Sequence, residues 1–89
     1  MTRSLHSSLH RRLREQLVEA RTRAGLTQVA LGRRLKRPQS YVSKYETGER
    51  RLDVVEFVEV VRALRLDPTR VLAELLKVRP PRTRRKKSP

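Results

Sequence analysis

Apolar residues recur along this chain at helical spacing, in five short blocks. The first block is Leu9, Leu13, Leu17, Ala20 and Ala24, with arginines filling the other faces. Gly25 follows as a C′ residue should, because glycine takes the left-handed conformation without strain. Thr27 is placed to cap a second helix that turns Leu31 and Leu35 inward and stops near Lys36. Pro38 opens a third, where its missing N–H costs nothing; Val42 and Tyr45 form the apolar side and Gly48 closes it.

The segment from Asp53 to Leu64 is rich in β-branched residues, which by composition suit a strand. Its spacing argues for helix instead. Asp53 and Glu56 stand as a capping box, and Val54, Phe57, Val58, Val61 and Leu64 repeat at i, i+3, i+4, i+7 and i+10. A strand would also need a partner, and no other stretch resembles one. Asp67-Pro68 marks a fifth helix carrying Val71, Leu72, Leu75 and Leu76. The expected architecture is all-α, a compact five-helix domain over 9–78. It follows a flexible polar lead, residues 1–8, and precedes a basic disordered tail, residues 79–89, signalled by two prolines and a cationic run.

Composition narrows the chemistry. At 89 residues there is room for one domain with a modest core. Cysteine is absent, which removes disulfides and cysteine zinc sites and fits a reducing cytosol. His6 and His10 lie one helical turn apart, half of a metal site at most; with only Glu15 near as a third ligand, they read as solvated surface residues, and neither metal nor cofactor is expected. No signal peptide or membrane-spanning stretch is visible, so the expected location is cytoplasmic, with no membrane partner. The 23 Lys plus Arg against 9 Asp plus Glu give a net charge of +14, which calls for a polyanionic partner.

Residues 28–48 form two helices of about eight residues joined by a turn of about three, the length of a helix-turn-helix. Gly32 lets the third helix approach closely, and Leu31, Leu35, Val42 and Tyr45 fill the angle between the two. With Val42 and Tyr45 inward, the helical period turns Gln39, Ser40, Ser43, Lys44 and Thr47 outward. All are polar and none is acidic. Gln pairs with adenine N6 and N7, Lys donates to guanine O6 and N7, and Ser serves base or phosphate.

Thr27-Gln28, Leu31-Gly32, Leu35 and the run from Gln39 to Arg50 resemble the Cro and phage-repressor family of helix-turn-helix proteins, the XRE family, over about Leu13 to Leu76. The resemblance implies a lambda-repressor-like domain that binds double-stranded DNA in a bacterial or phage-encoded, nucleoid-associated setting. It implies base reading by Gln39, Ser40, Ser43 and Lys44. Backbone contacts would come from Arg21, Thr27, Gln28, Tyr41, Thr47, Arg50 and Arg51, with a structural pair between Arg21 and Glu46. The turn departs from the family: Lys36 stands where a glycine is usual, Arg37 where an apolar residue is usual, and Pro38 where a small polar cap is usual. Lys36 and Arg37 are therefore expected to add phosphate contacts.

Charge agrees with this orientation. Residues 9–51 carry 12 basic and 4 acidic side chains, a net of +8, whereas residues 52–76 carry 3 and 5, a net of −2. One such motif contacts too few bases to be selective in a genome, so a homodimer is expected through the C-terminal helices, around Val71 to Val78. The function expected is a transcriptional regulator, as a repressor. The alternative is an antitoxin or other module that binds a protein partner and autoregulates through the same DNA face. No catalytic constellation is visible, so an enzyme is not expected. RNA modules favour exposed aromatics, and this chain has only Tyr41, Tyr45 and Phe57.

The tail residues Arg82, Arg84, Arg85, Lys86 and Lys87 are expected to grip DNA nonspecifically. Removing residues 79–89 should then weaken binding to all duplex sequences alike and flatten the salt dependence, by roughly 0.9 log units per log salt for each phosphate no longer neutralised. Salt titration of binding checks this, and an unchanged slope would remove the tail from the interface.

Overall fold

The computed structural model describes residues 7–78; the lead before Ser7 and the tail from 79 onward lie outside the described residues. Five helices follow one another: α1 (Ser8–Arg23), α2 (Gln28–Leu35), α3 (Gln39–Thr47), α4 (Val54–Ala63) and α5 (Pro68–Leu75). The domain begins slightly earlier than the apolar pattern indicates. The Ser7 hydroxyl accepts from the His10 amide at 3.0 Å, so a serine two residues before Leu9 is already the N-cap. Thr27, Asp53 and Asp67 cap α2, α4 and α5 in the same way.

Three helices end alike. A left-handed residue follows the last turn, and the amide after it returns to a carbonyl five residues back: Leu26 to Arg21 at 3.1 Å, Arg37 to Gly32 at 2.9 Å, Leu66 to Val61 at 3.1 Å. The left-handed residues are Gly25, Lys36 and Arg65, with φ of 74°, 58° and 62°. Only the first is glycine; a side chain in this conformation costs roughly 1 kcal/mol or more. Gly32 is where the α2–α3 turn closes tightest. A Cβ there would lie 2.7 Å from the Arg37 carbonyl oxygen, so the close approach that glycine permits is to the turn backbone.

Leu17, Leu31, Val42, Tyr45, Val60 and Val61 are the most deeply buried side chains, joined by Tyr41, Leu64 and Val71. α3 packs on α1 and α2, while α4 packs on α2 and α5. The apolar stripes are trimmed at their ends: Leu9 and Ala24 are exposed. In α4 the helix is rolled relative to the expected stripe. Val60 is fully buried, Phe57 and Val58 are half-buried, and Val54 is 77% exposed. Spacing gives a helical face but not where the neighbours stop, and the first turn of α4 projects beyond α2 and α5.

That first turn is held by charge. Glu56 completes the capping box, accepting from the Asp53 amide at 2.9 Å while Asp53 accepts from the Glu56 amide at 2.7 Å. The same carboxylate takes a two-pronged contact from Arg50, at 2.6 and 3.2 Å. Hydrogen bonds from Arg50 and then from the Asp53 amide hold Glu56 down at a pKa of about 2, against an ordinary 4.5. A carboxylate with a depressed folded-state pKa stabilises fully above its unfolded value and loses that contribution as pH falls through its folded one. Stability should therefore fall as pH drops from about 4.5 toward about 2. Glu56→Gln keeps a capping side chain, so its urea midpoint should be lower at neutral pH and flatter across that range. An acid limb identical to the parent's would show that Glu56 is not its source.

Candidate nucleic-acid interface

α3 carries the candidate base-reading face, and a four-residue hydrogen-bonded chain ties it to α1 and α2. Arg21 of α1 donates Nε and Nη2 to the Glu46 carboxylate, at 2.7 and 3.1 Å. Its Nη1 donates to the Leu26 carbonyl at 2.8 Å, tying the α1–α2 turn into the same contact. Hydrogen bonding to Glu46 raises the Arg21 pKa further. Gln28 then donates to Glu46 Oε1 at 2.8 Å, and Gln39 donates to Gln28 Oε1 at 2.8 Å. The structural pair expected from the family resemblance is present in this geometry, and it extends to the first residue of α3.

Gln28, expected at a phosphate, is also a link within the protein. Its oxygen and one amide hydrogen are engaged within the protein, so it links Glu46 to Gln39. Sequence spacing carried no signal for this, because residues 28, 39 and 46 meet only when α2 and α3 pack. Thr27 uses its hydroxyl on the Ala30 amide, at 3.0 Å, as the helix cap.

Of the base-reading candidates, Gln39, Ser40 and Lys44 are exposed and Ser43 is half-buried. They share the face opposite Val42 and Tyr45, which are both buried. Thr47 is exposed, but its hydroxyl donates back to the Lys44 carbonyl at 3.2 Å. Burial pushes the Tyr45 hydroxyl well above its ordinary pKa.

Tyr41 is largely covered within the domain. Expected at the DNA backbone, it is only 8% exposed and packs edge-on against Tyr45, with ring centroids 5.9 Å apart. Its ring instead supports two arginines. The Arg37 and Arg50 guanidinium carbons lie 4.5 and 4.7 Å from the ring centroid. Burial, followed by the Glu56 charge, raises the Tyr41 pKa. Arg50 is tied into the loop: the contact with Glu56 engages both of its Nη groups, and Nη1 reaches the Arg51 carbonyl at 3.0 Å as well. Arg37 lies 3.9 Å from Glu59, and both side chains are substantially exposed. Lys36 and Arg51 are exposed. Sequence reasoning missed the Arg50–Glu56 contact; the capping-box spacing identified Glu56, but nothing in it named a second partner.

Other expectations concern absent groups or undescribed segments. Among the described residues no cluster of three or more His, Cys, Asp or Glu could hold a metal, and no helix is long and apolar enough to cross a membrane. His6 and the tail residues Arg82, Arg84, Arg85, Lys86 and Lys87 lie outside the described residues.

Residues 11–76 match the helix-turn-helix domain family. Among solved structures, the chain is similar to an XRE-family like protein from Pseudomonas syringae pv. tomato str. DC3000, at 46% identity and a TM-score of 0.78, covering 83% of this chain and 90% of that one. No curated protein matches the sequence. The chain belongs to the XRE family of helix-turn-helix proteins and is a DNA-binding regulator.

Proposed function

We propose that this protein is a sequence-specific, non-catalytic repressor of transcription that inserts α3 into the major groove of double-stranded DNA. It works in the bacterial cytoplasm, on the nucleoid. The observation that carries the reading is the orientation of Gln39. One amide hydrogen of Gln39 goes to Gln28, whose own amide is held by Glu46. That leaves the Gln39 oxygen and its other amide hydrogen for a base. An acceptor beside a donor matches adenine N6–H and N7. Lys44, about one and a half turns further along the same helix, is the guanine-directed donor, with Ser40 and Ser43 beside it. Lys36, Arg37 and Arg51 supply cations toward the phosphates.

The same reading includes a homodimer through the last helix. Val71 belongs to the core, at 9% exposure, so it is not the seam. The outward stripe of α5 is Thr69, Leu72, Ala73 and Leu76, all exposed and uncharged. Thr69 and Ala73 are small enough for a second α5 to approach, and Leu76 has most of its surface free. Pairing there would match a pseudo-palindromic site with half-sites roughly 34 Å apart. A second reading, docking of a protein partner as in an antitoxin, is favoured by Val54 and Val55. Their exposed side chains at the start of α4 are apolar surface that an α5 seam does not use.

Selection of bound sites from random duplex DNA tests the proposal. The expected result is a two-fold symmetric motif with adenine opposite Gln39. Lys44→Ala should relax preference at one position per half-site, by roughly 1–3 kcal/mol. Equal weakening on selected and random DNA would mean that Lys44 does not read a base.

A further inference from the structure

Two of the four left-handed helix ends carry a cation where glycine would be unstrained, Lys36 after α2 and Arg65 after α4; Gly25 and Gly48 occupy the other two. These ends are neighbours. α2 packs on α4, and Arg34 of α2 donates to the Ala63 carbonyl at the end of α4, at 2.8 Å. The contact brings Arg34 to the end of α4, two residues before Arg65; Arg33 and Lys36 lie at the end of α2 and Arg62 at the end of α4, and all five cations are exposed. Glu59, the α4 acid that faces this way, is engaged with Arg37.

Helix dipoles account for part of this arrangement. Cations in a last turn are favoured, and Arg33, Arg34 and Arg62 occupy last turns. Dipoles do not account for Lys36 and Arg65. α1 supplies the comparison within the same molecule, with Arg21 and Arg23 in its last turn and glycine at the left-handed position. A helix here can complement its dipole without strain, yet α2 and α4 place the cation on the strained residue itself. Strain retained at a charged, exposed position points to a role for the charge.

We infer that the α2–α4 edge is a second phosphate-binding surface, gripping the DNA backbone beyond the bases that α3 reads. Its ligand is the polyanion of duplex DNA. Lys36 begins the turn that leads directly into α3, so the edge is continuous with the recognition helix, whereas Arg65 extends it into the half of the sequence whose net charge is negative. The surface supplies affinity and salt dependence without base preference. It rests on DNA binding by α3 but not on which bases α3 reads.

The test uses the full chain with Lys36→Gly, Arg65→Gly and the double variant. Each substitution relieves backbone strain, so the folded state is retained. Thermal unfolding should shift upward, on the order of 5 °C for each change. Binding is then titrated with salt on a selected-site duplex and on a random duplex of equal length. The slope of log affinity against log salt should become shallower by roughly 0.9 for each phosphate given up, equally on both duplexes. Greater stability with weaker, less salt-dependent binding is the expected pairing, and a purely structural residue would move only the first. A raised Tm with an unchanged slope would overturn the inference and leave these cations without a place on DNA. If selection yields no preferred site while Arg65→Gly still flattens the slope, sequence reading by α3 fails and the second surface stands.

Discussion

Everything that α3 presents depends on the Arg21–Glu46 contact. A guanidinium and a carboxylate matched through two N–H groups are restricted in distance and in plane. Here that restriction runs from α1 to α3, and through the Leu26 carbonyl it includes the turn between α1 and α2. The pair is largely withdrawn from solvent, with side-chain exposures of 16% and 6%. Removing one partner would leave a poorly solvated charge, so the two residues constrain each other far more than an exposed ion pair could. Gln28 and Gln39 extend the constraint outward by two hydrogen bonds. A side chain at the first position of α3 is thereby oriented by a residue on α1, through a network in which each member limits the next.

A second network, around Tyr41, does for the loop after α3 what the first does for its face. An aromatic ring with two guanidiniums against it would be a concentrated positive charge if left alone. Glu56 and Glu59 offset it from α4, and Glu56 also closes the capping box. One carboxylate therefore sets where α4 begins and where Arg50 lies. The arrangement explains why the −2 net charge of residues 52–76 does not make that half a separate acidic lobe. Two of its acids are turned toward the basic half and hold it in shape.

Charge thus has two separate functions in this small domain. Paired cations such as Arg21 and Arg50 build geometry, since several of their donors are engaged within the protein. Exposed ones such as Lys44 present their charge to the surroundings. Composition counts both kinds as equal contributions to +14. Lys36 and Arg65 show that the distinction reaches the backbone, because their exposed charge is kept at positions where the chain would be less strained with glycine.

The sequence by itself determined the five helices, the N-caps of α2, α4 and α5, and the acid-free face of α3. These features are local: capping needs residues two or three apart, and a helical face needs only the 3.6 period acting on Val42 and Tyr45. Even the β-branched run from Val54 was legible as helix, because Asp53 and Glu56 mark its start within four residues. Tertiary structure alone decided which polar residues of that surface are committed. Tyr41 looks exposed on a short amphipathic helix, yet Tyr45 and two arginines enclose it. Gln28 looks free at a helix start, yet Glu46 and Gln39 take its amide. Arg50 looks like a loop cation, yet Glu56 holds it. Each of these contacts joins different elements, and a hydrogen bond that forms only when helices pack leaves no periodic trace in the sequence.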